Sequence, residues 1–360
     1  MAPKHPHRRW FRSPWLWWPI GTILTLVILT PIVFSVSPWP GALLIRSVFT
    51  SNAQKLVEVM QPFAPTSGVD SVLDVAYAPG SEFTTMDVYY PTGTTTPLGT
   101  VVWTHGGAWI SGDKANDRSY FQILASHGYT VIGLNYTYGP EAVYPTAVNE
   151  INGALAFILA NAATYHVDTN RIVMAGDSAG AQLTSQIAAL TTNPEYAARE
   201  KFTPALQPGQ LRGLVLNCGV YDMRPMIGEA SSDTSGATSA TSTLLVDLLT
   251  WGNNTSLWAY TGDRNLGSSP AVEAMSSIDF VTAAYPPVYI TGGNADPLTA
   301  GQTVPMIARL TALGTSVDSL LWPADYTPPL PHEYQFHLDT AAAQTALTRT
   351  LAFLDAHLAG

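Results

Sequence analysis

A five-residue run, Gly-Asp-Ser-Ala-Gly at Gly176 to Gly180, joins two segments of different periodicity. The apolar residues 171–175 before it are typical of a buried strand, and residues 179–190 after it are typical of a helix. A serine between two glycines at such a junction lies on a sharp turn that exposes its hydroxyl group. The run therefore predicts a strand, turn and helix of an α/β sheet, with Ser178 as a candidate nucleophile.

A glycine-containing loop is the second informative motif. Residues 100–104 are typical of a buried strand and lead directly into the run His-Gly-Gly-Ala-Trp at 105–109. Consecutive glycines after a strand allow backbone N–H groups to approach an anionic oxygen, as an oxyanion hole requires. Together, the two motifs indicate acyl-transfer chemistry.

Strands and helices alternate from residue 69 to the end of the chain. Eight strands are predicted, at 69–76, 84–90, 100–104, 130–135, 171–175, 211–217, 287–291 and 317–321. Longer helices are predicted at 116–127, 146–165, 179–190, 301–313 and 339–357. This order predicts one catalytic α/β domain over 69–360, with an eight-stranded, mostly parallel sheet and helices on both faces.

The segment 226–260 interrupts this alternation. It begins with a tract rich in Ser, Thr and Gly and continues into the apolar run 244–251. A polar tract followed by an apolar helix, placed after the sixth strand, is a candidate lid over a pocket. A peripheral helix is the alternative interpretation.

The N-terminal region differs from the rest of the chain in charge and hydropathy. Residues 13–45 contain no charged side chain, and residues 15–37 are long and apolar enough for a transmembrane helix. The basic residues within 1–14 predict a cytoplasmic N-terminus and an extracytoplasmic catalytic domain. We therefore expect a single-pass signal anchor at the cell membrane, followed by a stalk or linker over 38–68. Secretion after signal cleavage is the alternative.

The amino-acid composition limits which binding partners and cofactors we expect. The chain has 16 basic and 26 acidic residues and a formal net charge of −10, so nucleic acid is not an expected partner. Because the chain has only one cysteine, Cys218, it cannot form an intrachain disulfide. Cys218 lies in an apolar run, so we expect it to be a small buried hydrophobic residue. The sequence shows no metal-ligand cluster and no phosphate loop, so neither a metal nor an organic cofactor is expected.

An activated serine needs a base in hydrogen-bond reach and a third group that orients the base. His332 follows the last predicted strand and a proline-rich loop, and His337 is the alternative base. Asp296 follows the seventh strand at the carboxyl edge of the sheet, where sites of open α/β sheets lie, and Asp325 is the alternative acid. The chain order Ser178, Asp296, His332 is that of α/β-hydrolases.

From about residue 69 to the C-terminus, the chain resembles an α/β-hydrolase of the hormone-sensitive-lipase-like esterase branch. The resemblance lies in the loop 105–109 with Gly112-Asp113 beyond it, in the run 176–180, and in Tyr144-Pro145 before a helix that carries Glu150. These motifs occur in the family's order and on the expected elements.

The resemblance implies a serine carboxylesterase that hydrolyses small or medium acyl esters through an acyl-enzyme. Ser178 would attack the ester carbonyl, His332 would transfer the proton, and Asp296 would orient the imidazole. The implied partner is a small-molecule ester, and no cofactor is needed. The oxyanion would be held by the backbone N–H groups of Gly106, Gly107 and Ala179.

Three positions depart from the family's pattern. Residues 136–141 lack the arginine that many relatives carry after the tyrosine, and Ala108 replaces a third glycine. Residues 46–65 take the place of the N-terminal cap region common in the branch. Because His-Gly-Gly-x-Trp also occurs in arylformamidases, an amidase or formamidase is an alternative function. A catalytically inactive hydrolase fold that acts as a binding module is another.

Overall fold

Eight strands form one sheet in this computed structural model, which describes Trp18, Thr22, residues 29–228 and residues 240–359. The sheet order is β1-β2-β4-β3-β5-β6-β7-β8. β2 pairs antiparallel with β1 and β4, and the other neighbouring pairs are parallel. The predicted eight-stranded, mostly parallel fold is confirmed. The strands are β1 (Val69–Ala76), β2 (Thr85–Pro91), β3 (Leu98–Thr104), β4 (Thr130–Leu134), β5 (Val167–Asp177), β6 (Leu211–Asn217), β7 (Val288–Gly292) and β8 (Val317–Leu321).

Helices cover both faces of the sheet. In the part of the chain that the structure describes, they are α1 (Leu29–Val36), α2 (Trp39–Met60), α3 (Arg118–Ser126), α4 (Thr146–Ala160), α5 (Ser178–Thr192), α6 (Pro194–Arg199), α7 (Ala240–Thr261), α8 (Pro270–Met275), α9 (Val304–Ala312) and α10 (Ala341–Leu358). A π-helical turn, Thr299–Thr303, leads into α9.

The core consists of two apolar layers, one on each face of the sheet. Val102 of β3 faces the layer that contains the buried residues of α4 and α5. Its neighbours Val101 and Trp103 face the other layer, which contains those of α3 and α10. This alternation follows from the two-residue period of a strand. Because both faces are covered, β4 and β7 are buried along their whole length.

Some element boundaries differ from the predictions. The helix predicted over 146–165 ends at Ala160, and β5 begins at Val167, earlier than the predicted residue 171. The side chain of Asn161 donates a hydrogen bond to the Phe157 carbonyl, which satisfies one of the free carbonyls of the last turn of α4. The chain then turns back into the sheet.

The N-terminal region is described in part. Just over half of the predicted transmembrane segment 15–37 lies outside the described residues. Within them, no single helix is long and apolar enough to cross a membrane, although α1 and the helical stretch Trp39–Phe63, bent by 86°, together meet that test. The region predicted as a stalk, 38–68, contains α2, which packs against α3 and α7 instead of extending away from the domain.

The predicted lid insertion 226–260 is also described in part. Residues 229–239 lie outside the described part of the chain. The remainder contains α7, which crosses α2 where Gly41 lies against Trp251 and Thr255. α2 and α7 thus form one layer on the catalytic domain.

Candidate active site

Ser178 lies at the turn between β5 and α5. Its backbone φ is +50°, in the left-handed region that non-glycine residues seldom adopt. A Cβ atom at Gly180 would lie 2.0 Å from the Thr104 carbonyl oxygen, and one at Gly176 would lie 2.6 Å from the Gly180 backbone. Both flanking positions therefore require glycine, and the turn presents the Ser178 hydroxyl to a cavity.

The structure brings together the three residues predicted to act as nucleophile, base and acid. Ser178 Oγ lies 2.9 Å from His332 Nε2, and His332 Nδ1 lies 2.9 Å from Asp296 Oδ2. The other carboxylate oxygen of Asp296 accepts a hydrogen bond from the Leu298 amide at 2.9 Å, which fixes the carboxylate. Asp296 follows β7, and His332 follows the loop after β8.

This arrangement determines the tautomer of His332. The Asp296 carboxylate can only accept, so Nδ1 carries the proton and Nε2 presents a lone pair to the Ser178 hydroxyl. Such a chain allows the imidazole to remove the serine proton while the carboxylate stabilises the resulting imidazolium. The site can therefore supply an activated alkoxide nucleophile.

The alternative base and the alternative acid do not take part in the hydrogen-bonded chain of Ser178, His332 and Asp296. His337 lines the same cavity, but its ring makes no hydrogen bond to Ser178 or Asp296. Asp325 is exposed, and its carboxylate makes no hydrogen bond to any residue that the structure describes. The geometry therefore selects His332 and Asp296.

The groups around His332 stabilise the imidazolium that forms when the base takes a proton. Burial opposes the charge, but the Cys218 thiol, the hydrogen bond to Asp296 and the carboxylate of Glu333 outweigh it and raise the pKa of His332 well above its ordinary value. Glu333 Oε1 lies 3.8 Å from His332 Nε2. Glu333 has a φ of +59°, so a left-handed residue follows the base directly.

The structure corrects the predicted role of Gly106. Its amide donates a 2.8 Å hydrogen bond to Asp177 Oδ2, so that N–H group is not available to an oxyanion. The amides of Gly107 and Ala108 donate to no acceptor among the described residues, and both residues line the cavity with Ser178. Ala179 lies in the first turn of α5, where amides have no acceptor within the helix. Gly107, Ala108 and Ala179 are thus the available donors.

The sequence did not point to Ala108. The signal is conformational: Ala108 has a φ of +51° and Gly107 a φ of +112°. These left-handed residues turn the chain after β3, and nothing in the residue type alanine indicates such a backbone.

Asp177 connects the two motifs. Its carboxylate accepts hydrogen bonds from the Gly106 amide and from Trp103 Nε1, each at 2.8 Å. Burial, together with the nearby charge of Glu333, raises the pKa of Asp177 to about 8. The residue before the nucleophile therefore holds the glycine loop in place.

His105 supports the same loop from inside. Its Nδ1 donates to the Gly106 carbonyl at 2.7 Å, and its ring stacks on Tyr136 with a centroid separation of 4.5 Å. The Tyr136 hydroxyl donates to the His105 carbonyl at 3.0 Å. Because burial lowers the pKa of His105, the ring is a neutral structural element.

Ser178 opens into a cavity of about 690 Å³, within the range of small-molecule sites. One wall is α2, which contributes Phe49, Leu56 and Val59. Phe336 and the glycine loop form other parts of the lining. A helix that precedes the sheet in sequence therefore bounds one side of the cavity.

Arg46 attaches α2 to the domain. Its guanidinium donates to both carboxylate oxygens of Glu141, at 2.6 and 2.7 Å, and to the carbonyls of Ile110 and Gly139, at 2.6 and 3.0 Å. It also lies 4.5 Å from the centre of the Tyr138 ring. Arg46 thus supplies an arginine partner to the run 136–141, which has none of its own.

Among the residues that the structure describes, one group of side chains could hold a metal ion. Ligand atoms of Cys218, Asp296 and His332 lie within 4.8 Å of one another. Two of these residues belong to the hydrogen-bonded chain of Ser178, and the third is the buried cysteine.

The fold and the motifs have counterparts in known proteins. Residues 86–308, well over half of the chain, match the family model described as BD-FAE. The structure of an inhibited esterase B from Lactobacillus rhamnosis is similar at 21% identity, with a TM-score of 0.70 and coverage of 88% of this chain and 96% of that one.

Two further solved structures agree with this assignment of the fold. An esterase from Pyrobaculum calidifontis has 19% identity and a TM-score of 0.64, with coverage of 93% of this chain and 97% of that one. A thermostable carboxylesterase cloned from a metagenomic library has 20% identity and a TM-score of 0.66, with coverage of 91% and 99%. The predicted resemblance to α/β-hydrolases of the hormone-sensitive-lipase-like branch is confirmed, and the chain belongs to the BD-FAE family.

Proposed function

We propose that this protein is a serine carboxylesterase that hydrolyses small or medium acyl esters through an acyl-enzyme. The observation that carries the proposal is the continuous hydrogen-bonded chain from Ser178 through His332 to Asp296, with two distances of 2.9 Å. The similar structures named as esterases support it.

The reaction follows from the positions of the groups. Ser178 Oγ attacks the ester carbonyl while its proton moves to His332 Nε2, and a tetrahedral oxyanion forms. The amides of Gly107, Ala108 and Ala179 stabilise this oxyanion as its charge develops. His332 then gives its proton to the leaving alcohol, and Ser178 retains the acyl group.

Deacylation repeats the sequence with water as the nucleophile. His332 removes a proton from water as the water attacks the acyl carbonyl, and it returns that proton to Ser178 Oγ when the acid leaves. The positive charge on His332 in both steps is stabilised by Asp296. One turnover consumes one ester and one water and returns Ser178 and His332 to their starting protonation states.

The cavity supports an ester with an apolar part of limited size. Phe49, Leu56, Val59 and Phe336 contribute apolar surface to a volume of about 690 Å³. One solved structure of the similar esterase B is described as inhibited by a phosphonate of tributyrin, which carries short acyl chains. Short and medium acyl groups therefore fit the proposal better than long ones.

The decisive experiment measures hydrolysis of p-nitrophenyl esters of graded acyl length, with matched p-nitroanilides as amide substrates. Wild-type protein is expected to cleave the esters, with a maximum at short or medium acyl length, and to label with a fluorophosphonate probe. The Ser178→Ala variant is expected to do neither. Cleavage of anilides or formamides alone would establish the amidase alternative. Folded wild-type protein with no turnover and no labelling would establish a binding module.

We also infer that the enzyme is tethered to the cell membrane, with the catalytic domain outside the cytoplasm. Residues 13–45 carry no charge, and exposed apolar side chains continue through α1 into the first half of α2. Ile32, Val36, Leu43, Leu44 and Val48 are between 48% and 64% exposed. Such a surface favours a lipid environment.

Fractionation of cells that express the full chain tests the tether. The enzyme is expected in the membrane pellet after a carbonate wash, and external protease is expected to degrade the catalytic domain in spheroplasts. Recovery of active enzyme in the culture medium, with a new N-terminus after residue 37, would establish secretion instead.

A further inference from the structure

Cys218 is a buried group that the proposed reaction does not use. It follows β6 directly, has a φ of +44°, and its amide donates to the Thr291 carbonyl of β7 at 2.8 Å. The Gln335 side chain donates to its sulfur at 3.4 Å. This backbone directs the thiol toward the base and the acid of the site.

Three different ligand types converge at this point. Cys218 offers a sulfur, His332 a ring nitrogen and Asp296 a carboxylate oxygen, all within 4.8 Å of one another. Ligands of one tetrahedral Zn²⁺ ion are roughly 3.2 to 3.6 Å apart, given metal distances of about 2.0 to 2.3 Å. Small side-chain movements therefore suffice to place a metal ion between them.

We propose that Cys218, His332 and Asp296 form an inhibitory site for a thiophilic divalent cation such as Zn²⁺ or Cd²⁺. A thiolate, an imidazole and a carboxylate favour these ions over Mg²⁺ and Ca²⁺, which prefer oxygen ligands alone. One thiolate and one carboxylate neutralise a divalent ion, so the loaded site carries no net charge, as a buried position requires.

Binding would switch off the base by changing its tautomer. The metal takes the lone pair of His332 Nδ1, where the hydrogen bond to Asp296 lies in the free enzyme. The ring proton moves to Nε2, and the Cys218 thiol releases its proton to solvent. Because Nε2 then carries a proton, it no longer accepts one from Ser178. Metal binding and proton transfer are therefore mutually exclusive.

The first test measures binding without any turnover. The full-length Ser178→Ala variant is titrated with Cd²⁺, and the thiolate-to-metal charge-transfer absorption is recorded. Because the chain has one cysteine, this absorption reports on Cys218 alone. One Cd²⁺ per chain is expected. The double variant Ser178→Ala, Cys218→Ala is expected to bind at least about 100-fold more weakly, since loss of even an outer partner of a metal ligand changes affinity 10- to 100-fold.

Two further variants in the Ser178→Ala background distinguish the loss of a proposed ligand from the loss of a nearby side chain. Asp296→Asn retains the thiol but is expected to lower the Cd²⁺ affinity measured by the absorption titration. His337→Ala, which removes a different histidine of the same cavity, is expected to leave that affinity unchanged. Folding of each variant is checked by circular dichroism. Folded protein with no thiolate absorption, or equal titrations for Asp296→Asn and His337→Ala, would overturn the proposal.

The second test concerns inhibition and rests on the proposed esterase function. Micromolar Zn²⁺ is expected to lower ester hydrolysis by wild-type protein roughly tenfold or more, EDTA to restore it, and Mg²⁺ to have no effect. The Cys218→Ala variant, compared with its own metal-free rate, is expected to resist. Equal inhibition of both proteins would contradict the assignment. Absence of any esterase activity would defeat the proposed function but leave the Cd²⁺ titration valid.

Discussion

The carboxylate of Asp177 accepts the amide hydrogen of Gly106 at 2.8 Å. These residues belong to separate motifs 71 positions apart, one before the nucleophile and one in the glycine loop. The contact uses the amide that the sequence suggested for oxyanion binding and leaves the next two amides of the loop free. It therefore sets which backbone groups face the reacting carbonyl.

Replacing Gly106 with alanine tests this contact. A Cβ atom there would lie 2.3 Å from Asp177 Oδ2, so the loop has to move. We expect a loss of about 1–3 kcal/mol in the free energy of unfolding, the usual cost of overpacking, and a large fall in kcat. Gly209, where a Cβ atom meets nothing within 4 Å, provides the matched control, and Gly209→Ala is expected to change neither quantity. Equal effects in both variants would contradict the argument.

Removal of the nucleophile is expected to lower activity without a change in stability. Ser178→Ala leaves the volume of the turn almost unchanged while it removes the attacking oxygen. We expect kcat for esters to fall about 10⁴-fold or more, with the denaturation curve close to that of wild-type protein. A variant that keeps more than a tenth of the activity would exclude Ser178 as the nucleophile.

Glu333 is one of several groups that raise the pKa of the proposed base, His332. Its carboxylate raises the pKa of His332, and the neutral imidazole is the form that accepts the serine proton. Activity therefore rises with pH through the pKa of His332, and Glu333→Gln is expected to move this acidic limb to lower pH. The pH profile of kcat/KM measures the shift.

Asp325→Asn is the control for this profile, because it removes an exposed carboxylate that joins no contact of the site. It is expected to leave the acidic limb where it is. A profile of Glu333→Gln that matches wild type, or that moves to higher pH, would show that Glu333 does not act on the base.

Arg46 is expected to matter for substrate binding and for stability. Arg46→Ala removes the donor to Glu141 and to the carbonyls of Ile110 and Gly139, so we expect about 1–3 kcal/mol of lost stability and a raised KM. Glu58→Ala is the control: Glu58 lies on the same helix, is exposed, forms no ion pair with any described residue and does not line the cavity. Denaturation curves and ester kinetics check both variants. An equal or larger change for Glu58→Ala would show that Arg46 does not hold the helix.

Local sequence signals predicted much of this fold. β1, β6 and β8 have the predicted boundaries because glycine and proline residues close to both ends of each strand mark clear breaks. The sequence predicts Ser178, Asp296 and His332 as site residues because each follows a strand at the same edge of the sheet, and the structure brings the three side chains together. Such signals depend on neighbours in the sequence.

The remaining features depend on contacts between distant residues. Arg46 and Glu141 are 95 positions apart, and no local pattern relates them. The use of the Gly106 amide and the availability of the Ala108 amide follow from the path of the backbone, which residue types do not specify. The same holds for Cys218, whose place in an apolar run indicated burial but not its proximity to His332.

β3 and β5 are adjacent parallel strands, and Thr104 at the end of β3 is in register with Gly176 near the end of β5. The glycine loop and the nucleophile therefore share one rigid support, while another wall of the cavity belongs to a separate helix, α2, which packs against α3 and α7 and is attached by Arg46. We therefore expect acyl selectivity and the chemistry of the proposed reaction to be separable. A library of variants confined to residues 49, 56 and 59 should yield new substrate preferences from an unaltered reaction centre.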